Sequence, residues 1–271
     1  MSQPLNFVFF GTPDVASKTL DILKSHGYIP SLIVTGPDRP IGRHFVMTPT
    51  PVKSWAIENN IPYTHDYQTI KESYDLFIVV AYGKILSQEI IDMPKFGTLN
   101  IHYSLLPKYR GASPVESAIL HGDTETGASI QKMVFKLDAG PIIAESKITI
   151  EQNDTTTTLR NKLIPLGVNL LITALEKKIF EGVPQDESHA TRCGKIKKED
   201  GLVNPFTDNP QELWNKYRAY YGWPGIYFLD KDNKRVKITT ARYTSNTFII
   251  ERVTPEGKKD IDWETYKKTT S

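Results

Sequence analysis

Four apolar runs of strand length, spaced by helix-patterned or polar sequence, constrain this chain more than any other feature. They are LNFVFF (residues 5–10), SLIVT (31–35), LFIVVAY (76–82) and TLNIH (98–102). Continuous apolar runs of this length suit strands buried on both faces. Between the first two lies TPDVASKTLDILKSHGY, where Val15, Leu20, Ile22 and Leu23 recur at helical spacing and Pro13 suits a first turn. Strands alternating with helices predict an α/β fold on a parallel, doubly wound sheet. Ligands of such sheets bind beyond the carboxyl ends of the strands.

After Gly127 the pattern changes. ASIQKMVFKLDAGPIIAESKITI reads as two strands around a turn at Asp138–Pro141, and a helix is expected from about Thr155 to Phe180. EGVPQDESHATRCGKIKKEDGLVNP is polar, charged and aperiodic, which reads as a linker. An amphipathic helix near 209–221 and short strand-like runs at 225–229, 235–242 and 246–253 follow, suggesting a small β-rich module. The expected organisation is a catalytic domain over 1–182, a linker over 183–204 and a small domain over 205–271. With 271 residues, 39% of them hydrophobic, the chain can bury one substantial core and a smaller second one.

Charge excludes a polybasic nucleic-acid coat, since the formal net charge is only +2. The basic bias sits at the end of the chain, with twelve Lys and Arg against nine Asp and Glu over residues 204–271. One cysteine, Cys193, admits no internal disulfide and fits a reducing compartment. The N-terminal apolar run Leu5–Phe10 is too short for a signal sequence or a membrane span. A cytoplasmic protein without membrane attachment is expected. The six histidines are scattered, so no metal site is expected. The turn FFGTPDVA lacks the full dinucleotide fingerprint. Its plainer reading is a tight turn where Gly11 permits close packing.

The chemistry concentrates in LNIHYSLLPKYRGASPVESAI. Asn100 and His102 lie two apart on a strand end and therefore share a face. A neutral imidazole can act as a base, a protonated one can donate to a developing oxyanion, and the Asn amide can donate to the same oxygen. Asp138, in the turn KLDAGP, is the best candidate to orient the imidazole. Such a set, with no covalent nucleophile, suits attack of a substrate amine on a bound acyl donor. A hydrogen-bonded histidine closing a strand, beside an ordinary turn aspartate, is the other reading.

NIHYSLLPKYRGASP, followed by HGDTETGASIQKMVFKLDAGPII, resembles the signature of the folate-dependent formyltransferases, Asn-x-His-x-Ser-Leu-Leu-Pro-x-x-Arg-Gly with Leu-Asp-x-Gly farther on. Every fixed position matches, through Asn100, His102, Ser104, Leu105, Leu106, Pro107, Arg110, Gly111, Leu137, Asp138 and Gly140. The resemblance implies a formyltransferase Rossmann-like, mostly parallel sheet with a small OB-like C-terminal domain. It implies Asn100, His102 and Asp138 as the catalytic set and 10-formyltetrahydrofolate as formyl donor. Ser104, Leu105, Leu106 and Pro107, with Tyr82 and Gly83, would line the folate pocket.

FFGTPDVASKTLDIL, the loop TGPDRPIGRHFVMTPTPVKSWA, KIKKEDGLVNP and YGWPGIYF resemble the branch of that family whose acceptor is methionyl initiator tRNA. In that branch the first-domain loop enters the tRNA acceptor arm, carrying a Gly-Arg pair and followed by Pro-Val-Lys. These stand here as Gly42-Arg43 and Pro51-Val52-Lys53, which makes Arg43 and Lys53 the expected tRNA contacts. A loop of about fifteen residues is itself long for an α/β protein and often functional. Two departures are visible. His44, Phe45 and Val46 replace the usual basic residues after Gly-Arg, and the C-terminal module is shorter than the usual OB-like domain. Both predict a weaker, less salt-sensitive tRNA complex. Sugar-nucleotide N-formyltransferases share the motif and the donor and form the alternative. A non-catalytic RNA- or folate-binding relative is a third reading, opposed by the intact Asn, His and Asp. A monomer is expected.

Overall fold

Strand β1, Phe7–Gly11, is buried along its whole length, which only a place inside a sheet with both faces covered allows. The computed structural model describes residues 5–41, 45–71 and 73–270. Helix α1, Asp14–Ser25, follows β1 directly and buries Ala16, Thr19, Leu20 and Leu23. The turn between them needs Gly11, because a Cβ there would lie 2.6 Å from that of Ala16 and 2.8 Å from the Phe9 ring.

The sheet continues through β2 (Leu32–Val34), helix α2 (Pro51–Glu58), β3 (Tyr63–Thr64), β4 (Leu76–Val80), β5 (Thr98–His102), β6 (Glu125–Lys132) and β7 (Ile142–Thr149). Its seven strands run in the order β7-β6-β5-β4-β1-β2-β3. β1 pairs in parallel with β2 and β4, β2 with β3, and β4 with β5. The direction reverses at β6, which pairs antiparallel to β5 with Asn100 opposite Gln131 and His102 opposite Ser129. β5 therefore ends beside a strand running the other way, and β6 ends beside the start of β5, with Lys132 opposite Leu99.

The long loop after β2 carries a short antiparallel hairpin, Arg39–Ile41 with Val46–Thr48, where only a loop was expected. Its pairing begins at Arg39 opposite Thr48. Helix α3, Pro114–Leu120, was also unforeseen, being too short to show a helical period. The long helix α4 spans Thr156–Lys177, close to the expected bounds.

The chain divides into two compact units, one of Met1–Gly111, Gly127–Ile148 and Asn161–Arg192, the other of Ala112–Thr126, Thr149–Arg160 and Cys193–Ser271. In the second unit helix α5, Pro210–Ala219, starts on the Asn209 side chain, which accepts from the backbone of Gln211 and Glu212. A four-stranded antiparallel sheet follows, with β8 (Ile226–Leu229), β9 (Arg235–Thr244), β10 (Thr247–Pro255) and β11 (Ile261–Asp262) in that order. Helix α6, Trp263–Thr270, closes the described chain. Nη1 and Nη2 of the buried Arg218 in α5 donate to the Asp154 carbonyl (3.2 Å) and the Asn215 side chain (2.8 Å), while its Nε has no hydrogen-bond partner among the described residues.

Candidate active site

The end of β5 and the facing part of β6 bring four polar side chains to one face. Asn100, His102, Ser129 and Gln131 share it by register, and all four are buried. Buried polar groups are costly unless bonded or used. Ser129 Oγ donates to the Ser104 carbonyl (2.7 Å) and accepts from Leu106 N–H (3.1 Å), fixing the turn that leaves β5. Gln131 reaches the next turn, where Nε2 donates to Asp138 Oδ1 (2.9 Å) and Oε1 accepts from Gly140 N–H (3.3 Å).

Asp138 sits at φ +48°, a left-handed conformation that Asp tolerates better than most residues. Two residues on, Gly140 has no room for a side chain, since a Cβ would lie 1.8 Å from the Lys132 carbonyl oxygen. The Leu-Asp-x-Gly pattern thus describes a loop pressed against the backbone of β6. Asp138 Oδ2 accepts from Gly111 N–H at 2.8 Å and lies 3.7 Å from His102 Nδ1. The other ring nitrogen, Nε2, donates to the Tyr109 carbonyl at 2.9 Å. Segment 109–111 therefore holds both partners. The gap between Nδ1 and the carboxylate is longer than a hydrogen bond.

Residues expected to form a linker hold this loop in place. Gln185 Nε2 donates to the carbonyls of Asp138 (2.9 Å) and Gly140 (2.7 Å). Its Oε1 in turn accepts from Arg110 Nε (3.0 Å) and Nη2 (2.7 Å). Arg110 also makes a two-pronged pair with Glu187, at 3.0 and 2.9 Å, and Lys136 adds a second cation at 2.9 Å. Hydrogen bonds from Arg110 and then Lys136 hold the Glu187 carboxyl down at about 2. Gln131, Gln185 and Glu187 escaped the sequence reading. For Gln131 a signal existed, since Ser129 and Gln131 alternate along a strand as Asn100 and His102 do.

The residues expected around the folate divide. Ser104 is fully buried and spends its hydroxyl on the Lys108 carbonyl (2.6 Å), closing the turn that carries Leu105, Leu106 and Pro107. Leu106 is buried, whereas Leu105 and Pro107 are half-buried. Tyr82 is buried against Phe10 and Tyr67, and its hydroxyl has no hydrogen-bond partner among the described residues. Burial above all, then Tyr67 and Asp66, pushes its phenol up to about 12, so it remains a neutral donor. Gly83 follows at φ +78°. Ile85, Phe135 and Leu137 are exposed, and Phe135 N–H is held by the Gln88 side chain (3.1 Å).

Arg43 lies outside the described residues. Lys53, in the first turn of α2, donates to both carboxylate oxygens of Asp38 at 2.8 Å. Among the described residues no cluster of three or more His, Cys, Asp or Glu could hold a metal ion, and no helix is long and apolar enough to cross a membrane.

Residues 5–175 match the family described as formyl transferase, and residues 195–252 match the formyl transferase C-terminal domain. The chain belongs to the formyl transferase family. Among curated relatives, the methionyl-tRNA formyltransferase of Staphylococcus aureus strain MW2 is 38% identical over 257 residues, covering 90% of this chain and 81% of that one. The methionyl-tRNA formyltransferase of Caldicellulosiruptor saccharolyticus is 39% identical over 247 residues, covering 86% and 78%. Among solved structures, WlaRD, a sugar 3N-formyl transferase crystallised with dTDP and 5-N-formyl-THF, superposes with TM-score 0.67 at 18% identity, covering 96% of this chain and 98% of that one. HypX from Aquifex aeolicus in complex with tetrahydrofolic acid superposes with TM-score 0.67 at 16% identity, over 97% of this chain and 47% of that one. At these identities the structural likeness concerns the fold, a mostly parallel sheet with a small antiparallel C-terminal domain. This formyl transferase is thus an enzyme whose motif residues Asn100, His102 and Asp138 occupy one end of the sheet.

Proposed function

We propose that this enzyme transfers the formyl group of 10-formyltetrahydrofolate to the α-amine of methionyl initiator tRNA. The observation that carries the choice of acceptor is the 38% identity, over 90% of the chain, to a methionyl-tRNA formyltransferase. The sugar 3N-formyl transferase of the same fold is only 18% identical.

The amine nitrogen attacks the formyl carbon, and the carbonyl electron pair moves onto oxygen. The Asn100 amide and the protonated His102 ring stabilise that oxyanion. Collapse restores the carbonyl and breaks the bond to N10 of the folate, and N10 gains a proton as the amine loses one. Nε2 of His102 is engaged by the Tyr109 carbonyl, so Nδ1, beside Asp138, gives its proton to N10 as the bond to the folate breaks and takes in exchange the proton that the amine loses. Asp138 balances the imidazolium charge. The formyl donor is a substrate here, and the buried, unpartnered Tyr82 hydroxyl fits a ligand bearing polar atoms beside a flat ring. Exposed Ile85, Phe135 and Leu137 supply apolar surface of the kind such a ring covers. Arg43 is assigned to the tRNA acceptor arm. Acting on charged tRNA, the enzyme would work in the cytoplasm.

The test is a single-turnover assay with 10-formyltetrahydrofolate labelled in the formyl group and methionyl initiator tRNA. Label recovered as formylmethionine after deacylation is the expected result. Unlabelled tRNA under conditions where an amino-sugar nucleotide becomes formylated would overturn the reading.

A further inference from the structure

The loop after β2 is tied at its base by groups that leave no spare charge. Its two ends meet through a buried hydrogen bond between the hydroxyls of Thr35 and Thr50 (2.9 Å). Thr50 Oγ1 also accepts from Lys53 N–H (3.1 Å), capping α2 and setting where the lysine side chain departs. Lys53 Nζ then crosses to Asp38, three residues into the loop, and donates to both oxygens at 2.8 Å. Its side chain is only 16% exposed, and the ammonium lies 5.7 Å from the centre of the Tyr63 ring. The hydrogen bond to Asp38, with its charge, raises the Lys53 pKa against the opposing effect of burial. One residue beyond Asp38 the hairpin pairing begins, Arg39 opposite Thr48.

We propose that Lys53 and Asp38 form a positioning clamp for the paired strands Arg39–Ile41 and Val46–Thr48 and that Lys53 does not bind a tRNA phosphate. This deepens the methionyl-tRNA reading and rests on it. A phosphate ligand needs an uncompensated cation facing outward. Lys53 instead has a carboxylate on two of its three N–H groups. The clamp fixes the base of a hairpin whose side chains Phe45, Val46 and Met47 are exposed. A loop that enters an acceptor arm acts through its orientation, so slackening its base lowers productive binding.

The two roles for Lys53 predict opposite signs for one substitution. If Lys53 bound phosphate, Asp38→Asn would free its charge, tighten tRNA binding and steepen the salt dependence. As a clamp, Asp38→Asn and Lys53→Met should each lower kcat/KM for methionyl initiator tRNA, by about tenfold, corresponding to about 1.4 kcal/mol. The double variant should be little worse than either single one, because both break the same contact. The slope of log affinity for tRNA against log salt should stay the same in Lys53→Met, whereas loss of a phosphate contact would reduce it by nearly one. The reversed pair, Asp38→Lys with Lys53→Asp, should recover much of the lost activity. Affinity for tetrahydrofolate should not move. Amide exchange at residues 46–48 reports the clamp without any tRNA, and both single variants should speed it. Unchanged exchange, tighter tRNA binding by Asp38→Asn, or additive losses in the double variant would each overturn the clamp. Failure of the parent enzyme to formylate methionyl-tRNA, with exchange still accelerated in the variants, would instead remove the acceptor reading and the clamp's role toward tRNA with it.

Discussion

At His102 the two ring nitrogens meet different acceptors, a carbonyl at 2.9 Å and a carboxylate oxygen at 3.7 Å. The shorter contact fixes the ring plane, and the longer one leaves Nδ1 open. Replacing His102 or Asp138 by Ala should therefore lower kcat for formyl transfer by about 10²–10³-fold while the fold persists, as loss of an oxyanion-stabilising group does elsewhere. Steady-state kinetics with a far-ultraviolet circular dichroism control check this; near-parent kcat in either variant would remove that residue from the chemistry. Gln131 acts through Asp138, because its amide donates to the oxygen facing away from the histidine. Hydrogen bonds to charged groups are worth about 1.5–3 kcal/mol. Gln131→Leu should accordingly lower kcat by about ten- to a hundredfold, with both KM values nearly unchanged. A change confined to KM would assign Gln131 to substrate binding instead.

Among the elements, the loop of Asp138–Gly140 is the one most tightly determined. Gly140→Ala must push the loop off the Lys132 carbonyl, which backbone cannot yield cheaply. A loss of about 1–3 kcal/mol in urea unfolding is expected, accompanied by loss of transfer. The Arg110–Glu187 pair supports the same loop and carries a pH signature. The folded-state Glu187 pKa, about 2, lies below its ordinary 4.5, so the folded state binds this proton less readily than the unfolded one. Its stabilisation is full above about pH 4.5 and is lost as pH falls toward 2. The stability gap between parent and Glu187→Gln should be small, because the carboxylate is more than half exposed, and should close across that window. A gap independent of pH would contradict the pairing. Much of this element was legible beforehand. Strand Thr98–His102 showed as an apolar run ending in polar groups, and Asp138 stood in a recognisable turn. Gln185 was illegible, because it lies 47 residues from Asp138 in an aperiodic stretch, and only tertiary folding joins them. The Lys53–Asp38 contact was illegible for the same reason, since the two residues lie 15 apart along a loop.

Over the whole molecule, residues 112–126 and 149–160 group with 193–271, so the chain passes between its two units more than once. Linear composition cannot reveal such crossings, and within the polar stretch 183–204, which reads as a linker, Gln185 bonds the Asp138 carbonyl and Glu187 pairs with Arg110. The fold does not by itself choose the acceptor, because it is shared by a sugar 3N-formyl transferase and by relatives named for methionyl-tRNA. The most direct measurement is a competition in one reaction, with labelled 10-formyltetrahydrofolate and equal concentrations of methionyl initiator tRNA and a dTDP-linked amino sugar. The label partitions by the ratio of the two kcat/KM values. We predict that nearly all of it enters formylmethionyl-tRNA, and that His102→Ala suppresses this product. Label entering the amino sugar in preference to the tRNA would contradict it.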